Sequence, residues 1–250
     1  MPLLRLSLFA AAALWLAAPS FAFDPDAMTE SARAAFREEI RAYLLENPEV
    51  IMEAVQVLEQ REAQAQARAD ADLVRQNATQ LFEDPDSWTG GNPDGDLTLV
   101  EFIDYRCGFC RRAAPEVDAL LARDGNIRII VKEFPILGEQ STLASRFAIS
   151  VRRKAGDDAY KSVHDTLIAF NGDVTEAALR RISDGLGLPT EEVVADMDSP
   201  DVTKVIDANI SLGQALRING TPTFVLGDQM LRGFLTADEM LNVAYAARAR

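Results

Sequence analysis

The sequence holds two cysteines, one histidine and two tryptophans in 250 residues. Two thiols cannot make the multi-bridge framework that staples small secreted folds. Together with one imidazole they also fall short of the four ligands a structural zinc site takes. Positive charge is scarce: 25 Lys and Arg against 39 Asp and Glu leave a net charge of −14. Such a balance argues against nucleic acid or an anionic lipid surface as a partner. After residue 22 no apolar run is long enough to span a membrane. The rest is ordinary for a globular chain, 48% hydrophobic and 26% charged, and the length allows one or two domains.

The N-terminus has the pattern of an export signal. Arg5 precedes an uncharged apolar run, Leu6 to Ala18, and Ser20-Phe21-Ala22 offers small residues at a cleavage site. Residues 1–22 are expected to be removed after Ala22, the run being too short for a retained anchor. Cleavage deletes Arg5 and moves the charge to −15. The expected location is the periplasm, where disulfides persist.

Residues 23–82 read as a helical arm. Phe36, Ile40 and Leu44 recur at helical spacing, Asn47-Pro48 interrupts, and Ile51 and Leu58 extend the apolar stripe. From Glu59 to Asp72 the sequence has high helix propensity and little to bury. A helix running unbroken from Pro48 to Gln80 would reach about 50 Å. Short helices are marginal alone, so the stripe predicts a homo-oligomer, a trimer being one candidate. Pro, Gly, Asn and Asp in 83–96 predict a linker.

Residues 97–250 predict an α/β domain. Leu97–Ile103 and Ile127–Val131 read as strands around a helix from Arg111 to Leu121, a βαβ unit with parallel pairing. A helical block, about 138–217, follows. Thr223–Leu226 and Met230-Leu231 flank a Gly227-Asp228 turn as a hairpin, and Thr236 caps a last helix.

Cys107-Gly108-Phe109-Cys110 falls where a strand turns into a helix. Two intervening residues let the sulfurs meet within the first turn, and helix N-terminal N–H groups favour a thiolate on Cys107. Cys110 is placed to resolve a mixed disulfide. A structural disulfide closing so small a loop would constrain the unfolded chain little, whereas two thiolates alone could hold Cu(I). His164 reads as a half-buried or surface helix residue outside the site. Glu101, six residues before Cys107 in an apolar strand, faces a desolvation cost that should raise its pKa and fit it to accept the Cys110 proton. Were the Thr221-Pro222 bond cis, a client strand could pair with the Thr221 backbone; the sequence leaves the isomer open.

Glu101 to Cys110, taken with Thr221-Pro222-Thr223-Phe224, resembles the DsbA-type branch of the thioredoxin superfamily over roughly residues 95–250. The resemblance implies a thioredoxin fold with a helical insertion, Cys107 as nucleophile, Cys110 as resolving thiol, Glu101 as buried acid and Pro222 as cis proline. Gly108, Phe109 and Thr221 would then contact the client. Strongly oxidising members carry Pro-His between the cysteines and Val before the cis proline. Here the residues are Gly108-Phe109 and Thr221, which are similar to those of bacterial disulfide isomerases. The implied potential lies between about −120 and about −270 mV. The arm resembles that of ScsC-like proteins, whose N-terminal helices oligomerise the catalytic domains.

These features together predict an exported disulfide isomerase or reductase that needs no cofactor or metal. Its partners would be misoxidised exported proteins and a membrane redox protein, a reductase in preference to an oxidase. The alternatives are a DsbA-like disulfide-donating oxidase and, in a different class, a Cu(I) binder or chaperone.

Overall fold

The computed structural model describes residues 28–249, so the expected signal segment lies outside the described residues. The chain divides into two compact units, one ending at Glu59 and the other beginning at Gln60. In the first, α1 (Glu30–Glu46) starts at Thr29, whose side chain accepts from the Ala32 N–H, and ends at Asn47. Helix α2 (Glu49–Gln76) begins after Pro48 and crosses the division. Helix α1 buries none of its residues. Phe36, Ile40, Ile51 and Leu58 of the predicted stripe are exposed, an apolar surface that a monomer leaves in water.

The second unit is built on a five-stranded sheet in the order β1-β3-β2-β4-β5. Its strands are β1 (Trp88–Gly91), β2 (Leu97–Ile103), β3 (Ile127–Glu133), β4 (Thr223–Leu226) and β5 (Gln229–Arg232). β2 and β3 run parallel, joined by α4 (Gly108–Asp124); every other pairing is antiparallel. Five helices then form the insertion: α5 (Glu139–Ala155), α6 (Asp157–Ala169), α7 (Glu176–Gly185), α8 (Thr190–Asp196) and α9 (Pro200–Ala215). Helix α10 (Ala237–Arg248) closes the chain behind a capping box made by Thr236 and Glu239. This is a thioredoxin-like sheet with a helical insertion and a helical N-terminal region.

Side chains alternate across a strand, so β2 feeds two cores. Leu99 and Ile103 pack on one face with α4, α5, α6 and α10. Val100 and Phe102 pack on the other with Ile130, Phe134 and Leu212. Phe102 and Phe134 meet edge to face at 5.6 Å. Gly213 of α9 lies against the Phe134 ring so closely that a Cβ would sit 2.3 Å from it.

Two expected boundaries differ. The arm does not extend to 82: α2 stops at Gln76, where the Asn77 side chain caps the Leu73 carbonyl at 2.8 Å. Val74 and Leu81, the latter in α3 (Ala78–Phe82), are buried among Val100, Phe102 and Ile130. Asp70 is buried too and takes a charge-assisted pair from Arg232, with Nη2 2.9 Å from Oδ1. Nor is 83–96 a free linker, because Trp88–Gly91 pairs with β3 as an edge strand. The Trp88 indole donates to the Asp157 carbonyl at 3.1 Å and stacks on Tyr160. Pairing and burial far along the chain outweigh the weak local preference of a strand half made of glycine.

Leu81→Ala should therefore destabilise the Gln60–Arg250 unit by about 2–5 kcal/mol in urea unfolding. An unchanged midpoint would return this segment to the arm.

Candidate active site

β2 ends at Ile103 and the chain turns through Asp104, Tyr105 and Arg106 into α4, for which Cys107 is the N-cap. Asp104 organises that turn. Its carboxylate is fully buried and accepts from the backbone N–H of Arg106 at 2.8 Å, Ile136 at 2.9 Å and Leu137 at 3.0 Å. Its carbonyl accepts from the Cys107 N–H at 3.0 Å. The turn before the dithiol is thus tied to the segment that leaves β3.

Both cysteines are free thiols. Cys107 Sγ lies 3.0 Å from the Thr221 carbonyl. Thr221-Pro222 is cis, and Pro222 is buried. The Cys107 thiol is lowered to about 5, chiefly by a hydrogen bond from Cys110. Burial opposes the shift, while the Cys110 and Phe109 N–H groups add to it. The Cys110 thiol is pushed far up by the same bond and by burial. One sulfur is an anion at neutral pH and the other keeps its proton, the division of labour that nucleophile and resolving thiol require.

Glu101 lies in the centre of the sheet, paired with Val131 of β3 and Phe224 of β4. No described residue donates a hydrogen bond to its buried carboxyl; burial, with the Asp118 charge adding, raises it to about 8. Glu101 and Cys110 line one cavity of about 40 Å³, with Asp118, Lys161 and Asp165 among its other walls. That is room for a water. On the other side of Cys107, Gly108 is exposed, and Phe109, 55% exposed, lines a groove of about 350 Å³ with Thr221, Pro222 and Phe234. The structure thus brings together all seven residues singled out in the sequence.

It also adds residues that the sequence reading missed. His164 was expected to lie outside the site, yet its half-buried imidazole lines the same cavity as Glu101 and Cys110. Burial lowers it to about 4, so it is neutral at pH 7. Its Nδ1 is 3.2 Å from the Tyr105 hydroxyl. Tyr105 and Tyr160 each donate to Glu133 Oε1 at 2.7 Å, and Ser145 donates to Oε2 at 2.7 Å. With the Tyr105 proton given to Glu133, His164 Nδ1–H must be the donor, which fixes its tautomer. Burial outweighs these three bonds and raises Glu133 to about 7. The partners are spread from residue 105 to 164, so no local motif announces them. Among the described residues, no group of three or more His, Cys, Asp or Glu side chains is disposed to hold a metal ion.

A thioredoxin-like sheet with a dithiol at the first turn of its βαβ helix and a cis proline facing it defines the class. The DSBA-like thioredoxin domain model matches residues 98–246, and the chain belongs to that family. The copper resistance protein ScsC N-terminal domain model matches residues 33–65. A thioredoxin-like oxidoreductase from Silicibacter pomeroyi is 40% identical, with a TM-score of 0.65 over 69% of this chain and 98% of that one. Proteus mirabilis ScsC in a transitional conformation is 26% identical, with a TM-score of 0.64 over 90% of this chain and 99% of the other. Among curated relatives, the Na(+)/H(+) antiporter NhaA of Herminiimonas arsenicoxydans is 28% identical over 159 residues, 63% of this chain. The chain spans about a quarter of that relative's length, 25%.

In the reduced protein, the iodoacetamide alkylation rate of Cys107 should be half-maximal near pH 5 and flat around pH 7, because the thiolate is lost only below its lowered pKa. A midpoint above pH 8, as for an ordinary thiol, would refute the thiolate assignment.

Proposed function

We propose that this chain is a periplasmic thiol–disulfide oxidoreductase that acts on disulfides of exported proteins, as an isomerase or reductase. The observation that carries the reading is the opposite displacement of two neighbouring thiols, Cys107 down and Cys110 up. The Cys107 thiolate attacks one sulfur of a client disulfide, and the other client sulfur leaves as a thiolate. The resulting mixed disulfide is broken either by a second client thiolate, which isomerises the client, or by Cys110. In the second route Cys110 yields its proton, directly or through a cavity water, to the ionised fraction of Glu101, a minority at pH 7 because burial raises that carboxyl to about 8. The Cys110 thiolate then displaces the client sulfur from Cys107 to form the Cys107–Cys110 bond. The client leaves reduced, and a membrane reductase restores the dithiol. Thr221, ahead of the cis bond, offers backbone to an extended client beside Cys107.

A second reading, a disulfide-donating oxidase, is favoured by the depth of the Cys107 shift. Stabilising the thiolate stabilises the reduced form and makes the disulfide more oxidising. About 5 lies between thioredoxin, about 7, and a strong oxidant, about 3.5. The Gly108-Phe109 and Thr221 choices support isomerisation instead. Recovery of a scrambled multi-disulfide protein decides the matter: the isomerase reading expects activity regained by the reduced chain without added oxidant. Oxidation of reduced substrate with no rescue of scrambled substrate would leave the oxidase. Client protection, or tight Cu(I) binding, without any disulfide exchange would point to a binder.

Homo-oligomerisation, with three subunits as one candidate, belongs to the same proposal, supported by the exposed Ile40 on α1 and Ile51 and Leu58 on α2. Removing residues 23–59 should yield a monomer by light scattering that still exchanges small disulfides. A mass per particle that stays oligomeric would sink the arm's role.

A further inference from the structure

The acidity of the chain is not shared by the surroundings of its dithiol. Away from the site, several arginines are paired with carboxylates: Arg123 with Asp238, Arg153 with Asp196, Arg180 with Glu176 and Arg248 with Asp124, whereas Arg128 is held by the Phe82 carbonyl and the Thr98 hydroxyl. Arg106, Arg111 and Arg112, all within five residues of Cys107, form no salt bridge with any described carboxylate. Arg106 donates to the Gly172 carbonyl at 2.8 Å, and Arg111 to the carbonyls of Ile168 and Phe170 at 3.0 and 3.1 Å. Backbone carbonyls hold these two guanidinium groups in place without cancelling their charge.

Arg112 is held differently. It is exposed, and its guanidinium lies 4.5 Å from the centroid of the Phe109 ring and 5.2 Å from that of Phe234. Phe109 and Arg112 are three residues apart on α4 and so share a face; Phe234 comes from the loop after β5. Both rings line the groove beside the cis Thr221-Pro222 bond, and none of the residues lining that groove is acidic. Stacking on aromatic faces fixes a guanidinium while leaving its N–H edge free to take a carboxylate. Glu116, one turn further along α4 and the nearest carboxylate in sequence, accepts from the Ala237 N–H at 2.8 Å and forms no salt bridge with Arg112, while Asp104 is fully buried and occupied by backbone N–H groups. A guanidinium with no salt-bridge partner thus stands against two of the rings that wall the groove, whose own arginine, Arg232, is paired with Asp70, on a chain whose net charge is −14.

We propose that the groove selects protein segments carrying an acidic side chain beside the reacting cysteine, and that Arg112 is the residue that reads it. The inference rests on the thiol–disulfide reading above and adds the chemistry of the partner. Client and redox partner are both extended segments presenting a cysteine sulfur, so the same preference applies to either. The repulsion between two acidic proteins is then overcome at the one place where contact is required.

The test uses the reduced full-length chain and two peptides with the same internal disulfide, which differ only in Asp or Lys at the positions flanking one cysteine. Each rate is divided by that peptide's rate with 2-mercaptoethanol, which removes the intrinsic effect of the flanking charge. At about 0.02 M salt the normalised rate should favour the Asp peptide by about three- to tenfold, and at about 0.5 M salt the ratio should fall towards one. Arg112→Glu should invert the low-salt preference and Arg112→Lys should keep part of it. A low-salt ratio at or below one in the unmodified chain overturns the proposal without recourse to any variant, as does a preference that Arg112→Glu leaves intact. Peptides that react without charge preference leave the thiol–disulfide reading standing, whereas failure of both to react removes that reading and the proposal with it.

Discussion

The contact between the two sulfurs at the head of α4 governs the rest of the site. A hydrogen bond from Cys110 stabilises the Cys107 anion and by the same act makes the Cys110 proton harder to remove. Neither sulfur could be tuned alone. The sheet presents the first cysteine at a helix N-cap, where backbone N–H groups add to the effect, and buries the second against β2. Resolution then needs a base on the buried side. Glu101, raised to about 8 by burial, is mostly protonated at pH 7, so the form that could serve as that base is its ionised minority, which grows as the pH rises towards 8.

Much of this was legible in the sequence because it is local. Strand β2, the CxxC turn and the Thr-Pro before β4 are each written in fewer than a dozen residues, and the strand–helix–strand order gives the parallel pairing of β2 and β3. Burial of Glu101 was readable from its place in an apolar strand. What escaped depends on distance along the chain. Trp88-Thr89-Gly90-Gly91 carries turn residues and becomes a strand only because β3 offers it a free edge. Val74 and Leu81 look like the end of a polar helix until the second face of the sheet arrives to cover them. His164 has no meaning without Tyr105 and Glu133, and Arg112 gains its role only when Phe234 folds over from the far end of the chain.

Two buried carboxyls occupy the parallel strands β2 and β3, and they differ in a useful way. Glu133 is enclosed by three hydroxyl donors and a helix. Such a satisfied network specifies a single arrangement of its surroundings and resists change. Glu101 has no comparable donors and faces a cavity. The first carboxyl holds Tyr105 and the turn ahead of the dithiol in position, while the second is left without such anchors beside the cavity.

Gly213 carries a further consequence. With no side chain of its own it lets α9 rest directly on Phe134, which in turn meets Phe102 of the central strand. Close-packed interiors transmit displacement instead of absorbing it. The helical block is therefore keyed to the sheet at this point, through α9. Whatever recognition features it carries are held at a constant reach from the reacting sulfur, as jaws bolted to the same frame.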